Sequence, residues 1–126
     1  MSVKVFLVDD ASKVQGLLVD LLTGLGFEVV GTAGTEAEAN LWVKENPGAW
    51  DLAIVDLLLE QGAGLSVVGK CREASAQGKV VVFSAYATPG VRKRCIELGA
   101  DEVFDKISVA PLLEFCRGLR GAPIEM

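Results

Sequence analysis

The chain has 126 residues, 51% of them hydrophobic, which suffices for one domain with a buried core and leaves no length for a sensing domain joined to an output domain. No apolar run approaches the roughly 20 residues of a membrane span, so no membrane partner is expected, and a net charge of -5 argues against direct nucleic-acid binding, which rests on Lys and Arg meeting phosphates. Cys71, Cys95 and Cys116 are an odd set, far apart in a chain without histidine, so neither a disulfide framework nor a zinc site is expected and all three read as small apolar residues.

The run "VKVFLV" (3–8) reads as a first strand, and Val14, Leu17, Leu18, Leu21, Leu22 and Leu25 follow the i, i+3, i+4, i+7 spacing of a helix with a wide apolar stripe, ended by Gly26. "FEVVG" (27–31) is the second strand; Thr35 with Glu38 forms a capping box for the second helix, which Pro47 and Gly48 close. "DLAIVD" (51–56) precedes a third helix from Gly64 to about Ala74, interrupted by Gly69. "KVVVFS" (79–84) leads to Thr88 and Pro89, the cap and first-turn proline of a fourth helix that Gly99 ends. "DEVFD" (101–105) is the fifth strand, and Leu112, Phe115, Cys116 and Leu119 mark one face of a fifth helix that starts near Ser108 and stops before Gly121. Three of these strands are almost continuously apolar, as in a parallel sheet covered by helices on both faces. Five βα units with right-handed crossovers predict an α/β, doubly wound, three-layer domain over 1–120, with "GAPIEM" (121–126) as a tail or linker start.

In such sheets function collects in the crevice at the carboxyl ends of the strands. There the pattern is informative: Asp9 and Asp10 close the first strand, Asp56 the third and Ser84 the fourth, and Lys106 follows the fifth. Three carboxylates at one rim repel one another unless a cation sits among them, and oxygen ligands without His or Cys select a hard ion, Mg²⁺ or Mn²⁺. Such an ion implies a phosphoryl group. One carboxylate can then serve as nucleophile toward phosphorus, with Lys106 and Ser84 suited to hold the phosphoryl oxygens, an acceptor site rather than a hydrolase pocket.

"LVDD" (7–10), "DLAIVDLLL" (51–59), "VVVFSA" (80–85) and "GADEVFDK" (99–106), in this (βα)₅ order, resemble the receiver domain of two-component response regulators, the chemotaxis regulator being its familiar single-domain member. The resemblance covers almost the whole chain. It implies a flavodoxin-like (βα)₅ fold with a five-stranded parallel sheet in the order 2-1-3-4-5. It implies Asp56 as phosphoacceptor, with Mg²⁺ or Mn²⁺ held by Asp9, Asp10, Asp56 and the backbone carbonyl of Leu58, Asp9 acting mostly through a water. Ser84 corresponds to the switch hydroxyl, Ala85 to the small residue beside the phosphoryl group, and Lys106 to the phosphate-pairing lysine. Implied partners are a sensor histidine kinase or phosphotransfer protein, and a downstream target or output domain that docks on the fourth helix, fifth strand and fifth helix. That face could also join two copies on phosphorylation. The implied setting is the cytoplasm, matching an N-terminus without a targeting segment. No separate substrate is expected, and the chain reads as a stand-alone regulator or as a receiver cut from a longer protein.

Three positions depart from the family pattern. Glu60 stands where a proline is usual; Ile107 replaces the proline after the lysine, leaving a trans or a strained Lys106–Ile107 bond; and Val103 replaces the aromatic three residues before the lysine. The last predicts that the signal leaves through Ala85, Tyr86, Ala87 and Thr88 instead. Two other readings compete. A pseudo-receiver, an interaction module not regulated by phosphorylation, is opposed by retention of all five polar residues. A flavin carrier would need a hydroxyl- or glycine-rich loop where Asp9 and Asp10 stand, and an aspartate-nucleophile phosphatase would have its two aspartates separated by one residue.

Overall fold

Strand and helix periods alternate along the chain, and the computed structural model, which describes residues 2–121, realises each as an element. In order they are β1 (Lys4–Val8), α1 (Ser12–Gly24), β2 (Glu28–Ala33), α2 (Glu36–Glu45), β3 (Leu52–Val55), α3 (Gly64–Ala74), β4 (Lys79–Ser84), α4 (Pro89–Leu98), β5 (Glu102–Asp105) and α5 (Ala110–Gly121). All strand pairs are parallel, in the order β2-β1-β3-β4-β5. The expected topology is therefore the observed one. Most of the expected tail, residues 122–126, lies outside the described residues.

The period-2 alternation of each strand divides the core in two. Phe6, Val8, Ala53, Val55, Val80 and Val82 face α2, α3 and α4, where they meet Ala39, Val43, Val67, Val68, Cys71 and Cys95. Val5, Leu7, Leu52, Ile54, Val81 and Phe83 face Leu18 and Leu22 of α1 and Leu112 and Cys116 of α5. Helices on both faces explain why the central strands carry uninterrupted apolar runs. The cysteines are free and buried, one each on α3, α4 and α5, as small apolar residues. Burial pushes the Cys71 thiol up to about 12, that of Cys116 up to about 11, and that of Cys95 upward, so all three stay protonated near neutral pH.

The helix ends follow the sequence signals. Thr35 Oγ1 accepts from the Glu38 N–H at 3.1 Å while the Glu38 carboxylate reaches back to Gly34 N–H. Thr88 caps α4 above Pro89, and Gly26 and Gly99 take the left-handed conformation that ends α1 and α4. Two expectations change. Leu17 is 52% exposed: α1 rests on the sheet through Leu18 and Leu22, one turn apart, and Leu17 is rotated to the rim. β2 runs to Ala33, past Gly31, because that glycine is a contact point and not a strand end. Trp42 stacks on Phe6 with centroids 4.2 Å apart, and a Cβ on Gly31 would lie 2.5 Å from the same indole. The β1–β2 register shifts beside it, between Val5 and Phe6.

Candidate functional site

The backbone of the polar rim is fixed by the sheet's own ladder. Asp9 N–H donates to Ala33 O, Asp56 N–H to Val8 O, and Lys106 N–H to Ser84 O, so each residue leaves the core from a paired position. The register Val8↔Val55 sets Asp9 and Asp56 side by side, one step beyond the last paired residues. Asp9 is 3% exposed and Asp56 5%, Ser84 is fully buried, and Asp10 faces solvent.

Oxygens of Asp9, Asp10 and Asp56 all lie within 4.8 Å of one another. Lys106 Nζ stands against two of these carboxylates, 2.7 Å from Asp9 Oδ2 and 2.9 Å from Asp56 Oδ2. Their remaining oxygens are held by backbone: Ala11 N–H donates to Asp9 Oδ1 at 2.9 Å, and Leu58 N–H to Asp56 Oδ1 at 3.2 Å. Asp10 accepts from the N–H of Glu60, across the mouth of the site. Three negative charges against one positive leave two negative charges at the rim, which is the deficit a divalent cation neutralises. Burial alone would lower the Lys106 pKa, but its hydrogen bonds to Asp9 and Asp56, with their charges, hold it above its usual value.

The structure thus brings Asp9, Asp10, Asp56 and Lys106 into one cluster. Leu58 sits on the loop just beyond Asp56, bridged to Ala63 where the chain doubles back. Ser84 lies at the same edge, but its Oγ accepts from the N–H of Tyr86 at 3.2 Å, within its own loop. The Lys106–Ile107 bond is trans, since no cis peptide occurs among the described residues, and Ile107 projects into solvent at 89% exposure. Val103 of β5 is buried in the same core cluster as Val82 of β4 and Cys95 of α4, a short side chain at this position. Arg92 of α4 reaches over it instead, donating to Val103 O at 2.8 Å and to Ala87 O at 3.0 Å.

Two residues that shape the backbone beneath the acids escaped the sequence reading. Gln15, a polar position on the inner side of α1, donates to the carbonyls of Asp9 and Ala33 and locks β1 to β2 under the acids. In the sequence Gly64 marks only the start of the third helix. A Cβ there would lie 1.9 Å from Asp56 O, so the close pass of α3 under the acid is possible only for glycine.

The family model of the response regulator receiver domain matches residues 5–114. The chain belongs to that family. It is therefore a receiver domain of two-component signalling with an acidic pocket. It is 27% identical over 106 residues to the chemotaxis protein CheY of Bacillus subtilis (strain 168), covering 84% of this chain and 87% of CheY. It is 33% identical over 100 residues to the photosynthetic apparatus regulatory protein RegA of Cereibacter sphaeroides, where it covers 79% of this chain and 53% of the longer RegA. A chain of the CheX–CheY–BeF₃–Mg²⁺ complex from Borrelia burgdorferi has the same fold, with a TM-score of 0.85 at 23% identity over 94% of this receiver and 89% of that chain. The signal receiver domain of the putative NarL of Mycobacterium tuberculosis gives 0.78 at 25% identity, over 93% and 98%. Among the described residues of the receiver, no helix is long and apolar enough to cross a membrane.

Proposed function

We propose that this receiver takes a phosphoryl group on Asp56 from a phosphohistidine of a sensor kinase or phosphotransfer protein, with Mg²⁺ or Mn²⁺ at the acids, and thereby changes a protein-docking face. The observation that carries this reading is the convergence of three carboxylates with a lysine already bridging two of them. The donor set fits a hard divalent cation: it is all oxygen, its charge deficit is two, and Asp10 stays open to solvent. Asp9, Asp10, Asp56 and the Leu58 carbonyl would hold the ion, which would supply neutralisation of the anionic donor. One relative with this fold was solved with BeF₃ and Mg²⁺.

An Asp56 oxygen attacks phosphorus, the P–N bond breaks, and the phosphohistidine ring, protonated on its other nitrogen, takes the electron pair and leaves as neutral imidazole. The product is an acyl phosphate on Asp56. Lys106 exchanges an Asp56 oxygen for a phosphoryl oxygen, keeping its charge paired throughout. Ser84 turns its hydroxyl from the Tyr86 N–H toward the phosphoryl group, and Ala85 leaves room for it. Since the hydroxyl and Tyr86 share a hydrogen bond, that turn breaks it and releases the segment 85–88. Arg92 ties the same segment, at Ala87, to β5 at Val103, so a movement of the loop reaches α4 and β5 together. Exposed Tyr86, Ile96 and Ile107 give that side apolar anchors for a downstream target or a second copy of the chain. The domain spans 1–120, acts in the cytoplasm, and turns over no substrate besides its own Asp56.

Fluoroberyllate, which mimics an acyl phosphate, tests the assignment by ¹⁹F NMR. With Mg²⁺ the wild type should give protein-bound ¹⁹F resonances, and Asp56→Asn should give none. Equal bound signals in both proteins would remove Asp56 from the acceptor role.

A further inference from the structure

Between Asp56 and α3 the chain turns through a loop that carries Leu58, and this loop is gripped from outside the acidic cluster. Glu36 opens α2, far from the loop in sequence. Its backbone N–H donates to Gln61 O at 3.1 Å, and its Oε1 accepts from the N–H of Ala63 at 2.8 Å. Between those two contacts Gly62 adopts φ of +97°, and a Cβ there would lie 2.3 Å from the Glu36 Cβ, so loop and side chain touch without a gap. The carboxylate is also hydrogen-bonded to Ser66, whose hydroxyl accepts from Asn40 of α2. Hydrogen bonds from Ala63 and Ser66 hold the Glu36 carboxyl below its usual range.

Ala63 is the N-cap of α3 and offers no side-chain acceptor to that helix's first turn. Glu36 accepts instead from the N–H of Ala63 itself, the group that leads into that helix, where a negative charge also suits the positive end of the α3 dipole. On its other side the loop is tied to the acids, through Leu58 N–H on Asp56 and Glu60 N–H on Asp10. The same short segment is therefore fixed at both edges, inward to the acids and outward to Glu36.

We infer that Glu36 is a positioning residue for the metal and acceptor site: by holding Gln61 and Ala63 from α2 it sets the backbone of Leu58 to Glu60 against Asp56 and Asp10. This rests on the Mg²⁺ site proposed above. Partners of metal ligands, once removed, typically cost 10–100-fold in affinity. Glu36 acts through backbone at a surface position, so the lower end applies.

The test is a calorimetric Mg²⁺ titration of wild type, Glu36→Ala and Glu36→Gln, with amide hydrogen exchange of the metal-free proteins. Glu36→Gln keeps an oxygen for the Ala63 N–H and should bind Mg²⁺ close to the wild-type affinity. Glu36→Ala should bind roughly tenfold more weakly, with faster exchange at Glu60 and Ala63 and unchanged exchange in β1 and β3. Should Glu36→Ala not fold, Glu36→Asp, one methylene too short to reach Ala63, carries the same expectation. Wild-type protein that binds no Mg²⁺ would overturn the proposed function and this inference with it. Wild-type affinity in Glu36→Ala or Glu36→Asp, beside a wild type that does bind, would overturn the inference alone.

Discussion

Lys106 is a single cation between two buried carboxylates, and only 19% of its side chain is exposed. Removing one partner of a buried ion cluster leaves uncompensated charge, at a typical cost of 3–5 kcal/mol. Lys106→Met keeps the apolar stem without the charge, and should lower the urea-unfolding free energy of the metal-free protein by about 3 kcal/mol at pH 7. The sign of the pH dependence follows from the raised pKa. The Lys106 contribution is complete below its ordinary value of 10.5 and is lost only as pH rises through the higher folded value. The difference between wild type and variant should thus stay constant from pH 7 to about 10. A difference below about 0.5 kcal/mol, the worth of an exposed pair, would mean that the cluster is not load-coupled to folding. Asp9, Asp10, Asp56, Ser84 and Lys106 were legible in the sequence as candidates because each ends or follows a strand, and the fold gathers all of them but Ser84 into one cluster. Glu36 and Arg92 were not, since their partners are loop carbonyls and N–H groups brought near only by the fold.

Among the elements, α4 and the segment before it are where the proposed read-out is expected. Val103 is β-branched and stiff at χ1, and it is packed in the core cluster on the side of α2, α3 and α4, so it is a poor reporter of movement over distance. The segment 85–88 has one, because its hydrogen bond to Ser84 Oγ is broken if that hydroxyl turns to a phosphoryl group. In the protein with fluoroberyllate and Mg²⁺, the largest backbone NMR shifts away from the acids should fall between Ala85 and Arg92. Ser84→Ala should bind the mimic and lose them. Dominant shifts at Val103 and Phe104, or shifts undiminished in Ser84→Ala, would contradict the route. Element types and order were readable from periodicity and caps, whereas the length of β2 was not. Gly31 carries a stop signal locally, and only its packing under Trp42 shows why the strand continues. The exposed Leu17 failed for a related reason: spacing marks an apolar face, but the angle at which α1 meets the sheet decides how much of it is covered.

For the whole molecule, the doubly wound topology does the assembling. Residues from four strand ends, spread between positions 9 and 106, meet at one edge because parallel strands all leave the core on the same side. That regularity is why the strand ends in the sequence point to one shared edge. On the proposed function, this edge accepts a phosphoryl group on Asp56 with the help of a divalent cation. Metal-free, an anionic donor would approach three carboxylates opposed by one lysine, and repulsion should dominate. Intact mass after incubation with acetyl phosphate measures this directly. The wild type should gain the mass of one phosphoryl group with Mg²⁺ and none with a chelator, and Asp56→Asn should gain none in either case. Labelling of Asp56→Asn to the wild-type extent, or labelling of the wild type that ignores Mg²⁺, would contradict the account.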